Sequence, residues 1–278
     1  MSSDPQYITS TQNPKIKHLL ALHEKSSERR KSGLFVVEGR RELEHCIAAG
    51  YEVESVFKSA SAASAADADF IVSPHVYERI AYRGTTEGII AVVKAKKHSL
   101  ENLLPALARL EETLDPSRTR EGAGEGPLFI VLESVEKPGN LGAVLRSADA
   151  AGATAVIVCD PLTDLYNPNL IRASIGACFT VPTVACSSED CIRFLKDHSV
   201  QILTAQLQDS ELYYDTDMTG PTAIVMGSES TGLTDLWRQA ADAHIRIPML
   251  GRLDSLNVSV SAAILLFEAV RQRRIMGK

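Results

Sequence analysis

Short apolar runs alternate with segments of helical periodicity from residue 128 onward. Six runs are predicted as strands, at Leu128–Leu132, Ala155–Cys159, Val181–Val184, Val200–Ala205, Thr222–Met226 and His244–Ile247. Helices are predicted near 141–151, 168–177, 188–197 and 233–241, and a last helix at about 258–274 is apolar nearly all round and therefore expected to be buried. Continuous apolar strands separated by helices indicate a parallel sheet covered on both faces. In such α/β sheets, ligands bind beyond the carboxyl ends of the strands.

The first hundred residues have a different pattern, which predicts a small separate α/β domain. Strand-like runs lie at 34–37, 54–57 and 89–93, helical stretches around 14–30, 40–49 and 74–81, and a loop or frayed helix at 61–69. A Leu/Ala-rich stretch from residue 99 gives way to the Gly-rich segment 119–127, which has the composition of a flexible connection. We therefore predict one domain at 1–98, a linker at 99–127 and a second domain at 128–278.

Composition narrows the class of protein. Apolar residues make up 45% of the 278 residues and charged residues 23%, which is typical of a soluble globular protein. The apolar runs are shorter than the roughly 18–20 residues of a membrane span, and the first residues lack the pattern of a signal peptide. The five cysteines are an odd number without a CxxC pair, which argues against a disulfide framework or a zinc knuckle. The prediction is a reduced, cytoplasmic protein that has no membrane anchor and needs no metal.

The net charge of −6 hides a gradient along the chain. Residues 1–98 hold 14 Lys and Arg against 12 Asp and Glu, whereas the rest of the chain holds 15 against 23. Five basic residues of the stretch 15–31 are candidates for binding phosphate groups: Lys15, Lys17, Arg29, Arg30 and Lys31. A solvated helix face explains the same pattern, and the charges alone leave both interpretations open.

Three polar segments follow predicted strands and are candidates for chemistry. In the first, Pro138 and Gly139 predict a turn and Asn140 a helix cap. Arg146 lies six residues further on and is expected to project from the same general side as Asn140. An arginine in a helix of small and apolar residues needs a partner, because burying an unpaired charge is unfavourable. A plain cap and a structural ion pair remain the alternative for this segment.

The second segment runs from Gly227 to Leu233, and the third from Ile247 to Ser261. The second is neither a P-loop nor a GxSxG elbow, because no Lys-Ser/Thr follows it and Glu229 occupies the serine position. Taken alone, it is also compatible with a tight turn. In the third, several Ser and Asn side chains precede a buried helix and cannot all be caps. A hydrolase triad is rejected for lack of a base, and a dinucleotide enzyme is disfavoured because no strand is followed by GxGxxG.

Read together, these segments resemble the motifs of the SpoU–TrmH family, in the SPOUT class of S-adenosylmethionine-dependent RNA methyltransferases. The matching residues are Asn140-Leu-Gly142 with Arg146, Gly227-Ser-Glu229-Ser-Thr-Gly232-Leu233, and Ile247-Pro-Met249 with Ser255-Leu-Asn-Val-Ser259. The segment between the first two, from Tyr166 to Ala177, is also similar to the family pattern. Residues 8–14, 33–39 and 87–91 resemble the small, ribosomal-protein-like RNA-binding domain that many members carry.

The resemblance implies a fold and a reaction. The fold would be a parallel sheet with a carboxyl-terminal trefoil knot, in a homodimer. The reaction would be methyl transfer from S-adenosylmethionine to a ribose 2′-hydroxyl of RNA, with ribosomal RNA favoured over transfer RNA and no role for DNA. A transfer RNA methyltransferase and a non-catalytic RNA-binding or assembly factor on the same fold are the alternatives.

The resemblance also implies roles for individual residues. Gly227, Ile247 and Leu256 would hold the cofactor, largely through main-chain groups. The ribose would face Asn140 and Arg146, and the site would be shaped by Glu229, Ser255 and Asn257. Because a guanidinium stays protonated, we expect Arg146 to stabilise the developing alkoxide rather than to act as a base.

Overall fold

The computed structural model describes residues 5–62, 68–82, 87–105, 107 and 126–276. Most of the predicted linker at 99–127, and the middle of the predicted loop at 61–69, lie outside these residues. The chain forms two compact units, one made of residues 1–97 with 164–180 and the other of residues 98–163 with 181–278. Residues 164–180 thus pack with the amino-terminal unit, although the sequence pattern assigns them to the domain at 128–278.

The secondary-structure elements follow in chain order. The strands are β1 Gln6–Ile8, β2 Leu34–Glu38, β3 Val53–Ser59, β4 Phe70–Val72, β5 Ile89–Lys94, β6 Leu128–Glu133, β7 Ala155–Cys159, β8 Thr183–Cys186, β9 Gln201–Ala205, β10 Glu211–Leu212, β11 Thr222–Met226 and β12 Ala243–Arg246. The α-helices are α1 Pro14–Glu24, α2 Ser26–Ser32, α3 Arg40–Ala48, α4 Pro74–Ile80, α5 Pro138–Ala151, α6 Pro168–Ser174, α7 Ala177–Thr180, α8 Ser188–Asp197, α9 Asp235–Ala240 and α10 Val258–Met276.

The amino-terminal unit contains a mixed five-stranded sheet in the order β1–β4–β3–β5–β2. Strands β1, β4 and β3 run parallel, while β5 is antiparallel to both β3 and β2. The predicted α/β character of this region is confirmed. Strands β1 and β4 have three residues each, too few for periodicity to reveal. The predicted helix at 14–30 is two helices, because the backbone of Lys25 is extended between them.

Residues 164–180 complete a hydrophobic cluster of this first unit. Ile171 and Phe179 are buried in the same cluster as Phe35. The Tyr166 ring stacks on Phe35 with a centroid separation of 4.3 Å, and its hydroxyl donates to the carbonyl oxygen of Lys96 at 2.8 Å. Burial of large aromatic side chains explains why this segment packs here.

His23 near the end of α1 is unusual because both of its ring nitrogens are buried. Neither ring nitrogen has a hydrogen-bond partner within the described part of the chain. Burial, and to a smaller extent the Arg29 charge, lowers the pKa of His23 from 6.5 to about 4. Because the unfolded chain takes up this proton at a higher pH than the folded chain, the contribution of His23 to stability is fully present above about pH 6.5 and falls as the pH drops towards 4.

We expect the substitution His23→Phe to remove this pH dependence. Between pH 7 and pH 5 the free energy of unfolding of the wild type should fall by about 2 kcal/mol more than that of the variant, since only the wild type has this histidine to protonate on unfolding. Urea denaturation of both proteins at the two pH values measures the difference. Equal pH dependences would contradict the buried, neutral state of this side chain.

The second unit contains a seven-stranded sheet in the order β10–β12–β9–β11–β6–β7–β8. Every neighbouring pair is parallel, as predicted. Helices α8 and α9 cover one face, where Cys191, Leu195 and Trp237 pack against Phe129 and Val225. Helices α5 and α10 pack on each other and on the strands from the other side. Strand β10 was not predicted, because two residues are too few to give a recognisable pattern.

The last helix differs from its prediction. Ala262, Leu265, Leu266 and Ala269 are buried, but Val260 and Phe267 remain 47% and 48% exposed. The helix is therefore not buried all round within one chain. None of the helices in the described ranges is both long and apolar enough to cross a bilayer.

A buried carboxylate ties the sheet to the helices of the α8–α9 face. Glu133 ends β6 and accepts hydrogen bonds from the backbone N–H and the hydroxyl of Thr234, at 2.8 and 2.7 Å. Thr234 directly precedes α9, whose Trp237 donates its indole N–H to the Ser188 hydroxyl at 3.0 Å. Ser188 in turn donates to Asp160 at 2.6 Å. These bonds position the starts of α8 and α9 at the carboxyl edge of the sheet.

Replacing Glu133 by alanine should destabilise this edge. We expect the free energy of unfolding to fall by about 1–3 kcal/mol, because the N–H and the hydroxyl of Thr234 both lose the acceptor that holds the start of α9 to β6. The exposed Glu136 is the matched control, and Glu136→Ala should change stability by less than about 0.5 kcal/mol. Chemical denaturation measures both, and equal effects would contradict the structural role of Glu133.

Candidate active site

A cavity of about 560 Å³ opens at the carboxyl ends of three neighbouring strands, β12, β9 and β11. This is the position at which open α/β sheets bind ligands. Its walls come from four stretches of chain: 205–208 after β9, 226–233 after β11, 245–249 after β12, and 254–258 before α10. Arg238 of α9 and Ser261 and Leu265 of α10 complete the lining. The volume is in the range of small-molecule and cofactor sites.

The loop that follows β11 is folded tightly on itself. Gly232 has a φ of +70° and donates its N–H to the carbonyl oxygen of Ser228 at 3.0 Å. A Cβ atom added to Gly227 would lie 2.1 Å from the Gly232 carbonyl carbon and 2.4 Å from the Leu233 nitrogen. Only glycine allows this approach of backbone to backbone. The tightly folded loop forms one wall of the cavity.

Three side chains from distant parts of the sequence form a hydrogen-bonded cluster beside this loop. The amide of Asn140 donates to Glu229 Oε1 at 2.5 Å. The amide of Asn257 donates both to the same carboxylate oxygen and to Asn140 Oδ1, each at 3.2 Å. The Lys137 ammonium pairs with the other oxygen of Glu229. The hydrogen bond from Lys137, with a further one from Asn140, lowers the pKa of Glu229, so the carboxylate is ionised at neutral pH.

The two asparagines of this cluster have different local roles. Asn257 precedes α10, and its Oδ1 accepts hydrogen bonds from the backbone N–H and the hydroxyl of Ser259, at 2.9 and 2.6 Å. It therefore acts as a cap while its amide reaches Glu229. The prediction of Asn140 as a cap is wrong. Helix α5 begins at Pro138, a residue suited to the first helical position, so Asn140 lies within the first turn and its side chain is available to Glu229.

The cavity collects six of the eight residues to which the sequence assigns a catalytic or cofactor-binding role. Gly227, Ile247 and Leu256, predicted to hold the cofactor, all line it, as do Glu229, Ser255 and Asn257. Their individual roles stay predictions.

Arg146 is not in contact with this cluster. Its side chain is exposed and forms no hydrogen bond or ion pair with the residues that the structure describes. Six residues turn an α-helix by about 600°, which places Arg146 about 120° around the helix from Asn140. The expectation that both project from one side is therefore wrong.

Sequence reasoning missed the wall formed by residues 205–208 after β9. Within the described ranges, the buried Oε1 atom of Gln206 has no hydrogen-bond partner, although its amide nitrogen donates to Gln208 at 2.9 Å. The guanidinium-bearing residues Arg238 and Arg246 line the same cavity. The sequence does have polar residues directly after the predicted strand at 200–205, which is a pattern typical of a ligand-binding edge. It does not reveal the strand order that brings β9 beside β11.

Four of the five predicted RNA-binding residues are exposed in the amino-terminal unit: Lys15, Lys17, Arg30 and Lys31. Arg29 is only 5% exposed, and its selection as a phosphate-binding residue needs correction. Its guanidinium donates to Asp164 at 2.6 Å and to the carbonyl oxygens of Leu22 and His23 at 2.5 and 3.2 Å. A buried guanidinium that is held by Asp164 and two carbonyl oxygens serves the packing of this unit rather than a ligand.

Comparisons with known proteins agree with the motifs. Residues 127–267 match the SpoU rRNA Methylase family, and residues 13–91 match an MRM3-like substrate binding domain. The 23S rRNA (guanosine-2′-O-)-methyltransferase RlmB of Yersinia pestis is 40% identical over 191 residues, which are 68% of this chain and 72% of that protein.

Solved structures agree as well. The crystal structure of an RNA 2′-O ribose methyltransferase gives a TM-score of 0.78 at 37% identity and covers 97% of this chain and 100% of that chain. The AdoMet-bound rRNA methyltransferase of Sinorhizobium meliloti gives 0.82 at 27% identity, covering 97% and 98%. By its motifs, its fold and these matches, the chain belongs to the SpoU rRNA methylase family.

Proposed function

We propose that this protein transfers a methyl group from S-adenosylmethionine to the ribose 2′-hydroxyl of a guanosine in 23S ribosomal RNA. The observation that carries the proposal is the meeting of three distant segments at one edge of the sheet. Asn140, Glu229 and Asn257 are joined by hydrogen bonds beside a cavity lined by Gly227, Ile247 and Leu256. The names of the relatives specify 23S ribosomal RNA as the substrate, guanosine as the nucleoside and the 2′-oxygen as the methylated position.

The cavity fits the cofactor on chemical grounds. Its lining combines apolar side chains such as Leu233 and Leu265 with the main chain of the glycine loop. The Gln206 side-chain oxygen, which has no partner among the residues that the structure describes, is an acceptor for an amino group, and Arg238 and Arg246 are cations suited to a carboxylate. S-adenosylmethionine has both groups. When bound, it supplies an electrophilic methyl group on a sulfonium.

The protein must bring the acceptor hydroxyl to this methyl group and disperse the charge that forms on its oxygen. The cluster around Glu229 fixes the side chains of Asn140 and Asn257 before substrate arrives, which is the preorganisation that such catalysis needs. Arg146 has no partner of its own among the described residues and is exposed to an incoming RNA. We assign it the stabilisation of the developing alkoxide.

The amino-terminal unit is proposed to dock the RNA. It matches a substrate-binding domain over residues 13–91, and Lys15, Lys17, Arg30 and Lys31 are exposed at its surface. Ammonium and guanidinium groups of this kind bind phosphates by Coulomb attraction with release of counterions. RNA affinity is therefore expected to fall steeply with salt concentration.

A homodimer is proposed on the basis of exposed apolar side chains of the second unit. Leu250 and Leu253 are 97% and 77% exposed, and Val260 and Phe267 of α10 are about half exposed. We take these side chains as the surface that a second copy covers, since apolar patches at a protein surface are typical of protein–protein contacts. In a homodimer, Arg146 of one copy could act at the cofactor site of the other copy.

Analytical ultracentrifugation tests the dimer. Phe267→Asp is expected to shift the protein towards the monomer, because it places a charge in the proposed interface. Leu162, exposed on a loop after β7, is the matched position, and Leu162→Asp should leave the dimer unchanged. A monomeric wild type would overturn the homodimer.

The trefoil knot implied by the family is also proposed for the segment after β9. In support, residues 254–258 return to the loop 226–233 around a single cavity. An experimental electron-density map that traces 222–276 without passing one segment through another would refute it.

Incubation with methyl-labelled S-adenosylmethionine tests the function directly. Separate pools of unmodified 23S ribosomal RNA, 16S ribosomal RNA and transfer RNA serve as acceptors. We expect label in the 23S pool alone, at a guanosine whose 3′ linkage resists alkaline hydrolysis because its 2′-oxygen is methylated.

The other outcomes decide against the proposal in distinct ways. Label in transfer RNA would support the transfer RNA enzyme. RNA binding without label, and without binding of S-adenosylmethionine in calorimetry, would support the non-catalytic assembly factor.

A further inference from the structure

Three of the five cysteines meet at the edge of the second sheet, away from the proposed active site. Cys159 and Cys186 are the last residues of β7 and β8 and lie opposite each other in the parallel register. Cys191 lies in the first turns of α8. The three sulfur atoms are all within 4.8 Å of one another. Strands β7 and β8 lie at one end of the strand order and the active-site strands β9 and β12 towards the other.

We propose that Cys159, Cys186 and Cys191 bind a thiophilic divalent cation such as Zn²⁺, with the fourth position open to a ligand from solvent. Zinc–sulfur bonds of about 2.3 Å in a tetrahedral site set the sulfurs roughly 3.8 Å apart, which lies within the 4.8 Å that bounds their separations here. A disulfide would use only two of the three converging thiols. Thiolate ligands select zinc and copper(I) over magnesium or calcium.

The backbone holds the three thiols in place without a metal. The carbonyl oxygen of Cys186 accepts the Asp160 N–H at 2.9 Å, and that of Cys159 accepts the Ser134 N–H at 2.9 Å. The Cys191 N–H donates to the carbonyl oxygen of Ser187 at 3.1 Å. Because Ser188 is tied to Asp160, the start of α8 is fixed against the ends of both strands. A site built on strands and a helix start has little entropy left to lose on binding.

A route for a cation leads to the half-buried Cys186. It lines an open cavity of about 430 Å³ together with three carboxylate residues, Glu101, Asp190 and Asp197, and one guanidinium residue, Arg193. Carboxylates at the mouth of a cleft raise the local concentration of cations. Cys159 and Cys191 are fully buried behind it. The site thus has one ligand at the surface and two inside the core.

The spacing of the cysteines along the chain conceals this arrangement. Residues 159, 186 and 191 match none of the CxxC patterns by which zinc sites are recognised, and on that basis the sequence predicts no metal. The cysteines are brought together by the register of two parallel strands and by the helix that returns over them. The proposed cation would join β7, β8 and α8, and its expected effect is on stability rather than on methyl transfer.

Titration of the reduced, metal-free, full-length protein with Co²⁺, followed by displacement with Zn²⁺, tests the proposal. We expect one Co²⁺ per chain, with sulfur-to-metal charge-transfer absorption in the near ultraviolet. Zn²⁺ should raise the midpoint of thermal unfolding, since the three thiols converge on one ion only in the folded chain. Loss of a residue that merely supports a metal ligand by a hydrogen bond weakens metal affinity roughly 10–100-fold. The variant Cys186→Ser loses a ligand itself, so its affinity for the cation should fall by more than this.

The double variant Cys46→Ser/Cys178→Ser is the matched control. It removes the two cysteines of the amino-terminal unit and should bind the cation like the wild type. Circular dichroism and cofactor binding establish that both variants are folded. Three results would each overturn the proposal. The first is an absence of charge-transfer absorption, and the second is binding of the cation by Cys186→Ser as tightly as by the wild type. The third is a disulfide among the three cysteines in protein that binds no metal when reduced.

Discussion

Arg146→Ala is expected to lower kcat for RNA methylation by about 10²–10³-fold, the effect of removing one preorganised group that stabilises a developing oxyanion. The affinity for S-adenosylmethionine should not change, because Arg146 lines no part of the proposed cofactor cavity of its own chain and is assigned to the acceptor oxygen of the RNA. Its exposed side chain also contributes little to stability. Single-turnover methylation and cofactor calorimetry measure the two effects separately.

Arg146→Lys distinguishes a planar guanidinium from a simple positive charge. A guanidinium binds an oxyanion and a neighbouring phosphate oxygen through two parallel N–H groups, which an ammonium cannot reproduce. We therefore expect lysine to recover only a small part of the lost turnover. If lysine restores most of it, the paired geometry is unnecessary and the role assigned to Arg146 is wrong. Arg193→Ala, at an exposed arginine of α8 in the same unit, should leave the turnover unchanged.

Gly227→Ala is expected to abolish detectable cofactor binding and to destabilise the second unit by about 1–3 kcal/mol, the usual penalty for overpacking. The added Cβ would lie 2.1 Å from the backbone of Gly232, and backbone cannot move aside as a flexible side chain can. The loop must therefore open, which displaces its main-chain groups from the cavity. Calorimetry with S-adenosylmethionine and thermal unfolding measure the two consequences.

Gly220→Ala is the matched control for this substitution. Gly220 precedes the same strand, β11, at its other end, and a Cβ atom added there meets nothing within 4 Å. We expect wild-type cofactor affinity and a change in stability of less than about 0.5 kcal/mol. Cofactor binding by Gly227→Ala at wild-type strength would mean that the glycine loop does not form the cofactor site.

The sequence predicts the parallel sheet and the edge at which the cavity lies because both depend on local patterns. Apolar runs mark buried strands, and polar segments after them mark the carboxyl edge where Gly227 and Ile247 meet. Strand order depends on contacts between distant residues. The position of β9 between β12 and β11, and with it the contribution of Gln206, was therefore not predictable.

Side-chain environments were predicted less well than motifs. Counting charges selects Arg29 together with Arg30 and Lys31, but only the fold shows that the first of these faces the core and pairs with Asp164. A cap was expected at Asn140, because the sequence does not reveal that Pro138 already begins the helix. The meeting of Cys159 with Cys186 likewise follows from strand register, which no spacing rule describes.

The place of β11 in the sheet has a consequence for biosynthesis. This strand lies between β6 and β9, so residues 128–133 cannot gain their second neighbour until residue 222 has left the ribosome. Long-range parallel pairing of this kind folds slowly and leaves strand edges open to aggregation in the meantime. The nascent chain should therefore need a chaperone over this interval, and its yield should depend more on translation rate than that of a protein whose neighbouring strands follow one another in sequence.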